Sequence, residues 1–100
     1  MADVITKQEI EEDLDLLEPG KFKVMLINDD KTPMEFVIIV LMRIFHHSQS
    51  TAERIMLKVH NEGAACAGTY SYEVCEQKAI ETTNLARENN FPLVVKVESE

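Results

Sequence analysis

Phe22, Val24 and Leu26 alternate with Lys23 and Met25, a period of two that predicts a β-strand over Lys21–Asn28. Asn28-Asp29-Asp30-Lys31 stops the strand, because Asn and Asp side chains bond nearby backbone groups and favour turns. Thr32-Pro33-Met34-Glu35 then predicts a helix start, with Thr32 as N-cap, Pro33 at the first helical position and Glu35 closing a capping box. The helix is expected to run to about Phe45. Between Phe36 and Phe45 Arg43 is the only polar residue. Such a helix is buried on more than one side or offers an apolar face to something else.

A second capping box, Ser50-Thr51-Ala52-Glu53, predicts a helix ending near Gly63, with a stripe of Ala52, Ile55, Met56 and Val59. Ala65–Tyr70 reads as a short strand. Ser71 can cap a third helix whose slim apolar face is Cys75, Ala79, Thr82 and Ala86, and Asn89-Asn90 with Pro92 ends it. Leu93–Val97 closes the pattern as a strand. The order β-α-α-β-α-β implies an α+β fold, three helices packed on a small three-stranded antiparallel sheet.

One hundred residues allow one modest core. Charge adds a division that the hydrophobic pattern does not show. Residues 1–20 hold seven acids against Lys7, a net of −6, while the remainder carries −2 of the total −8. Residues 1–20 therefore read as a flexible acidic N-terminal extension and 21–100 as the core domain. Ile10, Leu14 and Leu17 have helical spacing, so the extension is either a solvated leader or a segment that folds on a partner. The acidic balance argues against nucleic acid and anionic membranes, both of which need clustered Lys and Arg. Met1–Gln8 has no signal-peptide pattern, Phe36–Met42 is too short to span a bilayer, and Cys66 and Cys75 make a poor disulfide framework. A reducing cytoplasm is the expected setting.

Catalytic patterns are missing. The three glycines form no phosphate loop, and no G-x-S-x-G elbow occurs. His46, His47, His60 and two cysteines match no zinc-ligand spacing, so neither a metal nor a cofactor is expected. Asn28-Asp29-Asp30 is open to two readings: a plain turn, or a set of acceptors able to hold a cation or an ammonium group. His60, at the edge of its apolar stripe, is equally either a boundary residue or part of such a set.

The run Asn28-Asp29-Asp30-x-Thr32-Pro33-Met34-Glu35-Phe36-Val37, with Ile55-Met56-Leu57-x-Val59-His60, Tyr70-x-x-Glu73-Val74-x-Glu76-x-Lys78 and Ala86-Arg87-Glu88-Asn89, resembles the ClpS family of N-degron adaptors over residues 22–98. The resemblance implies a non-catalytic adaptor. It would bind a free N-terminal Leu, Phe, Tyr or Trp and deliver the protein to the N-terminal domain of a ClpA- or ClpC-type AAA+ unfoldase. By position, it implies that Asn28, Asp30 and His60 hold the α-ammonium. Leu26, Ile27, Thr32, Met34, Val37, Met56, Val59 and Leu93 would line the side-chain pocket. Glu73 and Lys78 would face the unfoldase, and residues 1–20 would assist hand-over. A monomer is expected. Three positions depart from the family pattern: Lys31 replaces a frequent aromatic, Ile39 a common polar residue, and Cys66-Ala67-Gly68 sets the cysteine back by one.

The chemistry fits that expectation. An α-amino group, with a pKa of about 8, is mostly a cation at neutral pH and needs fixed acceptors if it is to be desolvated. An Asn carbonyl, an Asp carboxylate and a neutral imidazole nitrogen can supply them. The rival reading is a related adaptor that mainly inhibits the unfoldase or serves other substrates; an enzyme or a ribosomal domain has less support from these residues.

Overall fold

In the computed structural model, which describes residues 20–100, β1 (Phe22–Ile27) lies between β2 (Ala64–Tyr70) and β3 (Val94–Ser99). Both pairings are antiparallel. Three helices complete the expected order: α1 (Met34–Arg43), α2 (Gln49–Glu62) and α3 (Tyr72–Glu88). None of these helices is long and apolar enough to cross a membrane. The predicted amphipathic spacing of Ile10, Leu14 and Leu17 lies outside the described residues.

The period of two in β1 decides which side of the sheet carries the helices. Val24 and Leu26 are fully buried, whereas Lys23, Met25 and Ile27, pointing the other way, are half-buried. Above Val24 and Leu26 sit Val40 and Leu41 from α1, Ala52 and Met56 from α2, and Cys75 and Ala86 from α3. Phe36 packs edge-on against Phe91, with ring centroids 4.9 Å apart, which ties the start of α1 to the loop before β3. Burying each large aliphatic side chain of this core contributes about 1.5–3 kcal/mol, so Leu26→Ala alone is expected to cost several kcal/mol.

Two predicted helix caps are displaced. Thr32 does not cap α1. The residue before that helix is Pro33, which has no side-chain acceptor, and the Thr32 hydroxyl instead donates to Asp29 Oδ2 at 2.8 Å. The cap of α2 is Ser48 rather than Ser50: its hydroxyl accepts from the Thr51 amide, and the helix starts one turn-fraction earlier at Gln49. Ser71 caps α3 as expected, accepting from the Val74 amide.

The end of α1 is closed by the two histidines. His46 adopts a left-handed backbone with φ 60°, and the His47 amide donates back to the Leu41 carbonyl at 3.0 Å, which satisfies one of the carbonyls left open at the helix end. The His47 ring lies 2.6 Å, from Nε2, to the Ala67 carbonyl oxygen. Ala67 is where β2 takes an extra residue, since Val24 pairs with Gly68 and Met25 with Cys66. The departure at Cys66-Ala67-Gly68 thus coincides with a β-bulge held by an imidazole.

Candidate functional site

The end of β1, the start of α1 and the last turns of α2 enclose a cavity of about 320 Å³. Asn28 follows β1, and its amide donates to the Gly63 carbonyl at 2.9 Å. That bond joins the strand end to the C-cap of α2, where Gly63 takes φ 91° and donates to the Val59 carbonyl. Gly suits this position because a left-handed backbone carries a steric cost for residues with a Cβ. The same last turn presents His60.

Asp29 builds the turn between β1 and α1. Its Oδ1 accepts from the amides of Lys31 and Thr32 at 2.8 and 2.7 Å, and Oδ2 from the Thr32 hydroxyl. Burial alone raises the carboxyl's pKa. The Thr32 hydroxyl, the two amides and the Arg87 guanidinium outweigh burial and leave it below the ordinary Asp value. Asp29 is therefore spent on geometry. Its neighbours Asn28 and Asp30 are exposed, as is His60, and none of the three side chains makes a hydrogen bond among the described residues.

Opposite these acceptors the walls are apolar. Val37 comes from α1, while Met56 and Val59 come from α2; all three are buried. Met34, the first residue of α1, stands 40% exposed at the edge. Unpaired acceptors on one side and an apolar floor on the other suit a small amphipathic cation with a hydrophobic body.

Asn28, Asp30, His60, Thr32, Met34, Val37, Met56 and Val59 all border this one cavity. Leu26 and Leu93 do not. Both are sealed in the core at no more than 1% exposure, Leu26 on the helix-covered side of β1 and Leu93 in the loop before β3. Ile27 does not border the cavity either: it sits on the opposite face of β1 with Val94 and Ala64 as pairing partners. Asp29 was not among the expected site residues, although an Asp followed two and three positions later by free amides is a recognisable Asx turn. Glu73 is exposed in the first turn of α3. Lys78 is half-buried, and its ammonium donates to the Ile44 carbonyl at 2.7 Å.

Residues 17–96 match the family described as ATP-dependent Clp protease adaptor protein ClpS. The ClpS adapter of Treponema denticola is 48% identical over 82 residues, covering 82% of this chain and 81% of its own. That of Hyphomonas neptunium is 46% identical over 83 residues, covering 83% and 70%. Among solved structures, Agrobacterium tumefaciens ClpS2 bound to L-phenylalaninamide superposes with a TM-score of 0.79 at 42% identity, over 83% of this chain and all of that one. With the β-α-α-β-α-β fold and an acceptor-lined cavity already in place, the chain belongs to the ClpS family of Clp protease adaptors and is an adaptor, not an enzyme.

Proposed function

We propose that the cavity holds the first residue of other proteins, when that residue is Leu, Phe, Tyr or Trp and its α-amino group is free. The carrying observation is the pairing of unoccupied acceptors on Asn28, Asp30 and His60 with the apolar floor of Val37, Met56 and Val59. An α-ammonium has three donors for those acceptors. Each charge-assisted bond is worth about 1.5–3 kcal/mol, and burial of a Leu or Phe side chain a similar amount. After the cost of association this supports a dissociation constant of roughly micromolar order, suited to a carrier that releases its cargo. The phenylalaninamide bound by the relative has the same two features, a free α-amino group and a bulky apolar side chain.

The captured protein is then passed to the N-terminal domain of a ClpA- or ClpC-type unfoldase. Glu73, flanked by exposed Tyr72 and Val74, supports the first turn of α3 as the surface that meets it. Residues 1–20 assist the transfer. Peptides differing only in the first residue test the binding half: Leu and Phe are expected to bind, Arg and N-acetyl-Leu not. Equal affinity for the acetylated peptide would remove the α-amino group from the account.

A further inference from the structure

A second cleft, of about 430 Å³, lies beside the acceptor cavity and is lined by Lys31, Arg87, Asn90, Phe91 and Pro92. The two share one wall. Asp30 and Thr32 border the acceptor cavity, and Lys31, between them in sequence, borders the second cleft instead. The bond from the Lys31 amide to Asp29 Oδ1 fixes that division, because it sets the turn that separates the two spaces.

The charge of the cleft is positive and largely unspent. Lys31 is exposed and its ammonium makes no hydrogen bond or ion pair among the described residues. Arg87 uses Nη1 to donate to the carbonyls of Phe91 and Leu93 at 2.8 and 3.0 Å, which leaves the rest of its planar fork available. Asp30, next to Lys31 in sequence, borders the acceptor cavity instead, Glu88 is not among the residues that line the cleft, and Asp29 is occupied by two amides and a hydroxyl. Its lowered pKa, to which Arg87 contributes, also places that guanidinium's field next to the turn. Phe91 and Pro92 add apolar surface beside the two cations, and Pro92 has no backbone N–H to offer.

We infer that this cleft is a second subsite, which receives an acidic side chain from the second or third residue of a protein whose first residue occupies the acceptor cavity. The inference rests on the reading given under Proposed function. One residue of extended chain spans about 3.3–3.6 Å, so a chain leaving a cavity bordered by Asp30 and Thr32 reaches the other side of the same turn within one or two residues. A carboxylate there meets Lys31 and the free edge of Arg87. The cleft stands apart from the chain's overall balance, a net charge of −8 that works against acidic peptides at long range.

Titration of the full chain with Leu-starting peptides carrying Ala, Asp or Lys at position two or three tests this. Asp is expected to bind about two- to fivefold more tightly than Lys, the range of exposed charge pairs. The gap is expected to vanish in 1 M salt, where the screening length is about 3 Å. Lys31→Glu should reverse the order, while Lys96→Glu, the same change in net charge on β3, should not. Thermal melts of both variants establish that they are folded, and Lys31→Gln, which should narrow the gap without reversing it because Arg87 remains, serves if Lys31→Glu is not. Equal binding of Asp and Lys peptides, or a preference that survives Lys31→Glu, overturns the subsite and leaves the binding of Leu-Ala peptides standing. Failure of every Leu-starting peptide to bind overturns the functional reading and the subsite together.

Discussion

The ammonium of Lys78 donates to the carbonyl oxygen of Ile44 at 2.7 Å, so a side chain on α3 closes the C-terminal end of α1. The same group lies 5.3 Å from the centre of the Tyr70 ring and 5.7 Å from that of Phe45. A cation at a helix C-terminus opposes the negative end of the dipole, and two aromatic faces add to the effect.

Lys78→Ala is therefore expected to lower stability by about 1–2 kcal/mol, read as a shift in the denaturant midpoint. Lys78→Met, which keeps the stem, should lose less. Weakened unfoldase binding in Lys78→Ala would then report on α1 as well as on any contact with the partner. Glu73→Ala separates the two: exposed and without a described side-chain partner, it is expected to leave stability unchanged while weakening that binding. Unaltered unfoldase affinity in Glu73→Ala would move the partner surface elsewhere.

Acid should loosen the turn that shapes the site. The Asp29 carboxyl has a lower pKa in the folded chain than its unfolded value of about 3.9. Its contribution is thus fully present above the unfolded value and is lost as pH falls through the folded one. Asp29→Asn is expected to destabilise the protein at pH 6, with the difference from the parent shrinking below about pH 4. Melting curves across that range check it. A gap that stays constant to pH 2.5 would mean the charge of Asp29 does not matter.

Met34 should govern which first residues enter. Its flexible thioether at the cavity edge can pack against a side chain unbranched at the β-carbon but crowds the second branch of Ile or Val. Met34→Ala is expected to admit Ile- and Val-starting peptides, a gain of about 1–3 kcal/mol, with only a modest loss for Leu. A folded variant that still rejects Ile and Val would show that the gate lies elsewhere.

Thr82 is wholly buried on the inner face of α3, and its hydroxyl has no partner among the described residues. Replacing it with Val removes an unsatisfied polar group at nearly constant shape. Thr82→Val is expected to raise stability by about 1 kcal/mol, measured by chemical denaturation. A decrease would mean that the hydroxyl is hydrogen-bonded in solution.

The elements of this fold were largely legible because β1 and α2 state their periods cleanly, through Phe22-Val24-Leu26 and Ala52-Met56-Val59. Caps were harder to place. Thr32 and Ser50 both begin a plausible capping box, but the Thr32 hydroxyl donates to Asp29 Oδ2 instead, and the Ser48 hydroxyl accepts from the Thr51 amide. Periodicity marked Met56 and Val59 as part of the buried stripe of α2, whereas the list of cavity residues came from the family resemblance. Leu26 and Ile27 lie outside the cavity because the face a strand residue points to depends on where the helices land, and Leu93 because the loop before β3 buries it in the core. The contact between Lys78 and Ile44 spans 34 residues and leaves no trace in local spacing.

The central position of β1 has a consequence for how the protein is made. The first strand of the domain pairs along its whole length with the last: Phe22 lies opposite Ser99 and Ile27 opposite Val94. Pairings of such long sequence separation form slowly, because most of the intervening chain must be ordered before they are rewarded. During synthesis β1 emerges early and must wait, one edge bare, until β3 has left the ribosome. A chain that ends before β3 is thus expected to leave one edge of β1 unpaired and the strand that leads into the cavity without its full support.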